Sequence, residues 1–174
     1  TRNANSAYTV PPPKGRNDYW VYSGIYREVY LESTARINVY DVFVHGEPIS
    51  KAYAKIFMEV AILNTEKENS EVTMCVSINE ENGEALLKNR SIVSVSANSY
   101  VYVKMDSGMP NPKLWNVEHP NVYECIVEIL DSSGNVLDAA KVEFGIRKVV
   151  VQGTRIFLNG EPIYIKGIDR HDEY

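Results

Sequence analysis

The sequence lacks most of the features by which a short chain announces a chemistry. Cysteine occurs twice and histidine three times in 174 residues, so neither a disulfide framework nor a zinc-type ligand spacing is spelled out. There is no Gly-x-Ser-x-Gly string, and none of His45, His119 and His171 stands beside a convincing partner, which argues against a nucleophilic triad. Apolar runs stay too short to cross a bilayer, and the N-terminus has no charged segment followed by an apolar one. Basic residues do not cluster: 18 Lys and Arg are scattered among 23 Asp and Glu, for a formal charge of -5. No stripe exists to follow a phosphate backbone, and nucleic acid is not an expected partner. The compartment stays open.

Helical periodicity is also nearly missing, and alternation takes its place. Ile56, Met58, Val60 and Ile62 share one face of a strand whose other face carries Lys55 and Glu59. Val72, Met74, Val76 and Ile78 repeat the pattern, as do Val101, Val103 and Met105, and then Tyr123, Cys125, Val127 and Ile129. A strand near Ile37 to Val44 opens the series, and a long segment from Leu137 to Val151 closes it with Val142, Phe144 and Ile146 on one side. Turn signals lie at "EENGE" (80–84), "DSGMPNP" (106–112) and "DSSGN" (131–135). About seven short antiparallel strands with 44% hydrophobic residues predict an all-β, immunoglobulin-like (fibronectin III-like) sandwich.

Cys75 falls in the polar phase of its strand and Cys125 in the apolar phase, so two unpaired thiols are expected. Tyr123, two residues before Cys125, is placed either for a tyrosine corner or as a core ring with its hydroxyl at the edge. His45 beside Gly46 and His119 before Pro120 read as turn residues. Arg147 reads either as the partner of an acid or as a solvated strand-face charge.

The two ends do not belong to this pattern. "TVPPPKGRNDYW" is loop-like, and the strand expected at 19–31 is bulky on both faces, with Tyr22, Tyr26 and Tyr30 on one and Val21, Ile25, Val29 and Leu31 on the other. Such a strand is normally covered twice, and this chain offers no second sheet. It is expected to be loose or to pair with another copy, giving a strand-swapped oligomer. Tyr19, Trp20, Tyr22, Tyr26 and Tyr30 could stack on sugars, although packing in a missing domain suits their alternation better. At the other end "RIFLNGEPIYIKG" reads as a hairpin turned at Asn159-Gly160, followed by Arg170, His171, Asp172 and Glu173. Consecutive residues on an extended segment point to alternate sides, so that cluster does not predict a metal site. The start at Thr1 suggests a processed product or an excised piece.

Three segments in order resemble glycoside hydrolase family 2, which contains β-galactosidases, β-glucuronidases and β-mannosidases. "NDYWVYSGIYREVYLE" (17–32) resembles the closing strand of the family's N-terminal sugar-binding jelly roll, with Ser23 in place of a Gly. "LWNVEHPNVYECIVEI" (114–129) is similar to its Leu-Trp-x-Pro-Glu signature, with Val117 in place of the Pro. "FGIRKVVVQGTRIFLNGEPIYIKGIDRHDEY" (144–174) resembles the stretch leading into the catalytic (β/α)₈ barrel, with Asp169 and Asp172 replacing the more usual Asn and Glu. The resemblance implies a jelly-roll tail at 1–34, an immunoglobulin-like domain at 35–150, and a linker hairpin with the start of the barrel at 151–174. It implies a parent that hydrolyses O-glycosidic bonds by a retaining mechanism, closer to galactosidases and glucuronidases than to mannosidases, with a carbohydrate substrate and no cofactor. The two catalytic glutamates of such a mechanism have no counterpart in this chain. Arg170 and His171 match positions in the wall of the sugar pocket, and Trp115 matches a residue that seats domains against one another. The other reading of the residues is a stand-alone carbohydrate-binding or adhesion module of fibronectin-like shape, marked by tyrosines exposed together on one face.

Overall fold

The structure, a computed structural model, describes residues 25, 28–80, 83 and 85–169. Its contacts divide the chain into two units, 1–33 with 165–174, and 34–164. In the first unit the described residues 28–33 and 165–169 form no strand, and Val29, Tyr30 and Leu31 are exposed. Most of the strand expected at 19–31 lies outside the described residues.

The second unit is an antiparallel β-sandwich. Strands β1 (Ile37–Ser50), β2 (Tyr53–Asn64) and β5 (Ser99–Pro110) form one sheet in the order β1-β2-β5. Strands β3 (Ser70–Glu80), β4 (Ala85–Val95), β6 (Tyr123–Leu130) and β7 (Val136–Phe144) form the other in the order β4-β3-β6-β7. Three strands facing four is the arrangement of an immunoglobulin-like sandwich of the fibronectin type. The inner ranks are those that alternation predicts. Ile56, Val60 and Ile62 from one sheet share a single apolar core with Met74, Ile78, Cys125, Val127 and Ile129 from the other. Each such side chain contributes about 1.5–3 kcal/mol by leaving water, and a one-residue slip of any strand would forfeit its whole set.

Two expectations need correction, and one strand was not anticipated. Strand β4 is not marked by alternation, because the exposed Asn89 and the half-buried Ser91 stand in register with the core residues Val76 and Met74. The segment 106–110 is strand rather than turn: Gly108 pairs with Lys55, and a Cβ there would lie 2.0 Å from the Tyr53 hydroxyl, so the glycine makes room for a ring. His45-Gly46 lies within β1, where a Cβ on Gly46 would come 2.6 Å from Ile146 Cγ1. Close packing, not turning, accounts for both glycines.

The turns at the sandwich ends are built from side chains. Asn64, fully buried, donates to the carbonyls of Glu68 and Val95 and accepts from Glu66 N–H, which pins the β2–β3 connection. Asp131 Oδ1 accepts from the N–H groups of Ser133 and Asn135 at 2.8 Å each, with Gly134 at φ 86 completing the predicted turn. The Asn135 amide holds the Asp131 carboxyl below its ordinary pKa. Where β1 and β7 meet as the open edges of the two sheets, Val39 N–H donates to Asp138 Oδ2 at 2.8 Å.

Cys75 faces outward and Cys125 inward on neighbouring strands of one sheet, and both are free thiols. Burial pushes the Cys125 thiol up to about 11 from its ordinary 9.0. Its folded-state pKa lies above the unfolded one, so its contribution to stability is complete below pH 9.0 and is lost as pH rises toward about 11. Iodoacetamide at pH 8 is expected to modify Cys75 while sparing Cys125 until the chain unfolds. Equal labelling of both thiols in the native chain would contradict this packing.

Candidate functional site

The residue pair matched to the sugar-pocket wall, Arg170 and His171, lies outside the described residues, as do Asp172 and Glu173. Of the N-terminal aromatics, Tyr30 is described and exposed, while Tyr19, Trp20, Tyr22 and Tyr26 lie outside. Among the described residues no group of three or more His, Cys, Asp or Glu could hold a metal ion. The features that could serve a function are therefore a joint at one end of the sandwich and the outer face of one sheet.

The joint is centred on Trp115. Strand β7 ends at Phe144 instead of running on to Val151, because the chain crosses over at 145–148. Gly145 passes so close to Trp115 that a Cβ would lie 2.9 Å from the Trp Cβ. Ile146 then bridges Gly46 in parallel and accepts from Trp115 N–H at 2.9 Å. The chain thus leaves the four-stranded sheet and reaches the edge of the other. Arg147 places its guanidinium 5.0 Å from the Trp115 ring centroid, and Lys148 pairs with Glu47 at 3.0 Å. Among the described residues Arg147 has no acid partner; exposed, it rests on an aromatic face, an attraction of about 0.5–1 kcal/mol at such a site.

Beyond the crossover a small sheet forms from β8 (Val149–Gln152), β9 (Arg155–Leu158) and β10 (Glu161–Ile163). Two glycine-bearing turns fold it, Gly153 at φ 59 and the expected Asn159-Gly160 at φ 52 and 87. Positive φ at both central residues is the requirement of a tight hairpin turn. Asn159 does more than turn the chain. Its Oδ1 accepts from Lys148 N–H, its Nδ2 donates to the Trp115 carbonyl, both at 2.9 Å, and its own N–H donates to the Lys148 carbonyl. One side chain therefore clasps the small sheet to the sandwich. A groove of about 770 Å³, lined by Phe43, Glu47, Trp115, Glu143, Arg147 and Lys148, opens beside this clasp.

The loop that carries Trp115 is equally fixed. Asn116 Oδ1 accepts from the N–H groups of Glu118 and His119, and Asn121 Nδ2 donates to the Leu114 carbonyl, so His119 is a turn residue as expected. Tyr123 makes the corner: its hydroxyl accepts from Lys113 N–H at 2.7 Å while its ring is buried against Phe144. Burial raises the Tyr123 hydroxyl above its ordinary pKa, and the bond from Lys113 N–H partly opposes that. Lys113 itself is raised by its hydrogen bond to Glu80 and, after that, by the charge of the same carboxylate.

The outer face of the β1-β2-β5 sheet holds two aromatic groups. His45 contacts Phe43 and Phe57, with ring centroids 5.4 and 4.9 Å apart respectively. Nearer the start of β1, Tyr40 lies parallel to Tyr100 at 6.0 Å, and Tyr102 meets Tyr100 edge-on at 5.5 Å. The Glu59–Lys104 pair at 2.6 Å lies in the cross-strand row of Phe43, and the Asp106–Lys55 pair at 3.1 Å lies at Phe57, on the side away from the tyrosines.

Comparison with known proteins gives these features a context. The sequence model described as glycosyl hydrolases family 2 matches residues 35–147. A β-galactosidase of Thermoanaerobacterium thermosulfurigenes is 28% identical over 165 residues, 95% of this chain and 23% of that protein. A β-galactosidase of Priestia megaterium is 25% identical over 158 residues, 89% of this chain and 15% of its own length. Among solved structures, a family 2 member from Bacteroides cellulosilyticus superposes with a TM-score of 0.71 at 21% identity, covering 77% of this chain and 19% of that one. A Bacteroides uniformis β-glucuronidase gives 0.72 at 19% identity, covering 78% and 17%. The chain thus spans between 15 and 23% of the length of these two β-galactosidases.

Proposed function

The chain belongs to the glycosyl hydrolases of family 2, and from that premise we propose that it serves as the immunoglobulin-like domain of a retaining β-galactosidase or β-glucuronidase. In this reading residues 1–34 are the tail of a jelly roll, 35–150 the sandwich, and 151–174 the connector and first segment of a barrel. The fragment holds its neighbours in position and carries no chemistry itself. The rest of the parent supplies the two carboxylates that retaining hydrolysis requires, and Arg170 and His171 join the wall of its sugar pocket.

The observation that carries this reading is the clasp at Trp115 and Asn159, which makes the exit from the sandwich rigid. Entry and exit also lie at opposite ends. Arg36 leads into β1 beside Thr65, whereas the crossover meets β1 at Gly46. Nine residue steps of strand lead from Ile37 to Gly46, roughly 30 Å at about 3.3 Å per residue.

The purified chain is expected to show no turnover of chromogenic β-galactosides or β-glucuronides, whereas the full-length parent turns over one of them. Turnover by the chain itself would overturn the scaffold role. In the parent, Arg170→Ala should raise KM by on the order of tenfold, and an unchanged KM would remove that residue from the pocket.

A further inference from the structure

The geometry points to a carbohydrate-binding platform at Tyr40, Tyr100, Tyr102 and Asp41 on the outer face of the β1-β2-β5 sheet, suited to a neutral oligosaccharide. The three tyrosines are 62%, 54% and 51% exposed although their rings lie within 6.0 Å of one another. Their positions follow from the strands. Tyr100 and Tyr102 alternate with the core-facing Val101 and Val103 and lie opposite Leu63 and Ala61. Tyr40 is the extra residue of a bulge between Val39 and Asp41. A bulge re-aims the side chain it carries, which here brings Tyr40 alongside Tyr100 from two strands away. Asp41 pairs with Ala61, which in turn pairs with Tyr102, so the carboxylate stands in the same cross-strand row as that ring.

The chemistry of the patch selects its occupant. Among the described residues the three tyrosine hydroxyls and the Asp41 carboxylate have no hydrogen-bond or ion-pair partner. A dry protein surface covering them would leave four polar groups to desolvate, at about 1–3 kcal/mol for each one left unpaired. A pyranose avoids that cost, because it offers a flat C–H face to an electron-rich ring and hydroxyls at its rim to the phenols and the acid. A nucleic acid would bring phosphate against Asp41 on a chain of charge -5, with no basic residue in the tyrosine group. The platform therefore favours an uncharged sugar, held on a rigid sheet whose rings are already ordered by one another.

The ligand class agrees with the reading of the parent as a glycosidase, and the site rests on that reading for nothing else. Binding and hydrolysis are measured separately, so failure here leaves the scaffold role standing, and failure of the scaffold role leaves the platform standing. The test is an amide-resolved NMR titration of the 174-residue chain with β-1,4-linked galactotetraose and with cellotetraose. The expected result is a saturable shift confined to the amides around Tyr40, Asp41, Tyr100 and Tyr102. Tyr100→Ala should weaken binding by on the order of tenfold, while Tyr100→Phe, which keeps the ring, should lose less. Asp41→Asn should reduce affinity without changing which amides move. Sugar at millimolar concentration that produces no saturable shift would overturn the platform. So would shifts at the same amides that depend on protein concentration instead of sugar, since they would identify a second copy of the chain as the occupant.

Discussion

Tyr123→Ala is expected to cost about 3–5 kcal/mol, enough to bring a domain of ordinary marginal stability close to its unfolding threshold. The ring is one of the largest fully enclosed side chains in the sandwich, and its removal would open a cavity where Phe144 meets the start of β6. Tyr123→Phe separates the ring from the hydroxyl. It keeps the packing and strands Lys113 N–H without its acceptor, for an expected loss of about 1–3 kcal/mol. Chemical denaturation of the three proteins checks this, with an unchanged m-value required for the comparison to hold. A phenylalanine variant as stable as the parent chain would show that the corner hydrogen bond contributes nothing beyond what water supplies.

The second large effect is local. Asn159→Ala removes two side-chain hydrogen bonds, about 1 kcal/mol each, and leaves an ordinary side chain at φ 52, about 1–2 kcal/mol more. Asn159→Gly removes the same bonds and relieves the backbone. Hydrogen exchange at residues 149–163 is expected to accelerate by on the order of a hundredfold in the alanine variant and by on the order of tenfold in the glycine variant. The denaturation midpoint, set by the sandwich, should move little in either. Equal acceleration in both would assign the whole effect to the side chain, and protection kept in both would mean that Asn159 does not hold the joint.

Strands β2, β3 and β6 were legible because their inward ranks are unbroken: Ile56 to Ile62, Val72 to Ile78 and Tyr123 to Ile129 each put an apolar residue at every second position. Strand β4 was not, because tertiary contact fills positions that a propensity argument assigns to water. Ser91 faces inward with its hydroxyl buried and without a partner among the described residues, a polar side chain held in the core by its neighbours. Composition likewise misled at Gly46 and Gly108, which read as turns although each serves a close approach inside a strand.

The candidate sites were legible as residues but not as arrangements. Trp115 and Arg147 stood out singly, and only the crossover at 145–148 stacks one on the other. The Asn159-Gly160 turn was legible from its dipeptide, whereas its grip on Trp115 depends on contacts distant in sequence. The most conspicuous tyrosines lie near the N-terminus. In the string Tyr100-Val101-Tyr102-Val103 the valines mark the strand, and the alternate rank of tyrosines is the signal for the proposed platform. Tyr40 carried no such signal, since a bulge shifts the phase on which alternation depends.

The bond from Val39 N–H to the Asp138 carboxylate has a bearing on edge-to-edge pairing between chains. An outermost strand invites a stranger to extend the sheet, and the invitation is issued by amides facing outward with nothing to donate to. At Val39 that amide is already engaged by an acid from the opposite layer, so an incoming strand would have to displace a charge before adding its first rung. A single side chain thereby makes the border between the two layers a poor starting point for fibre growth.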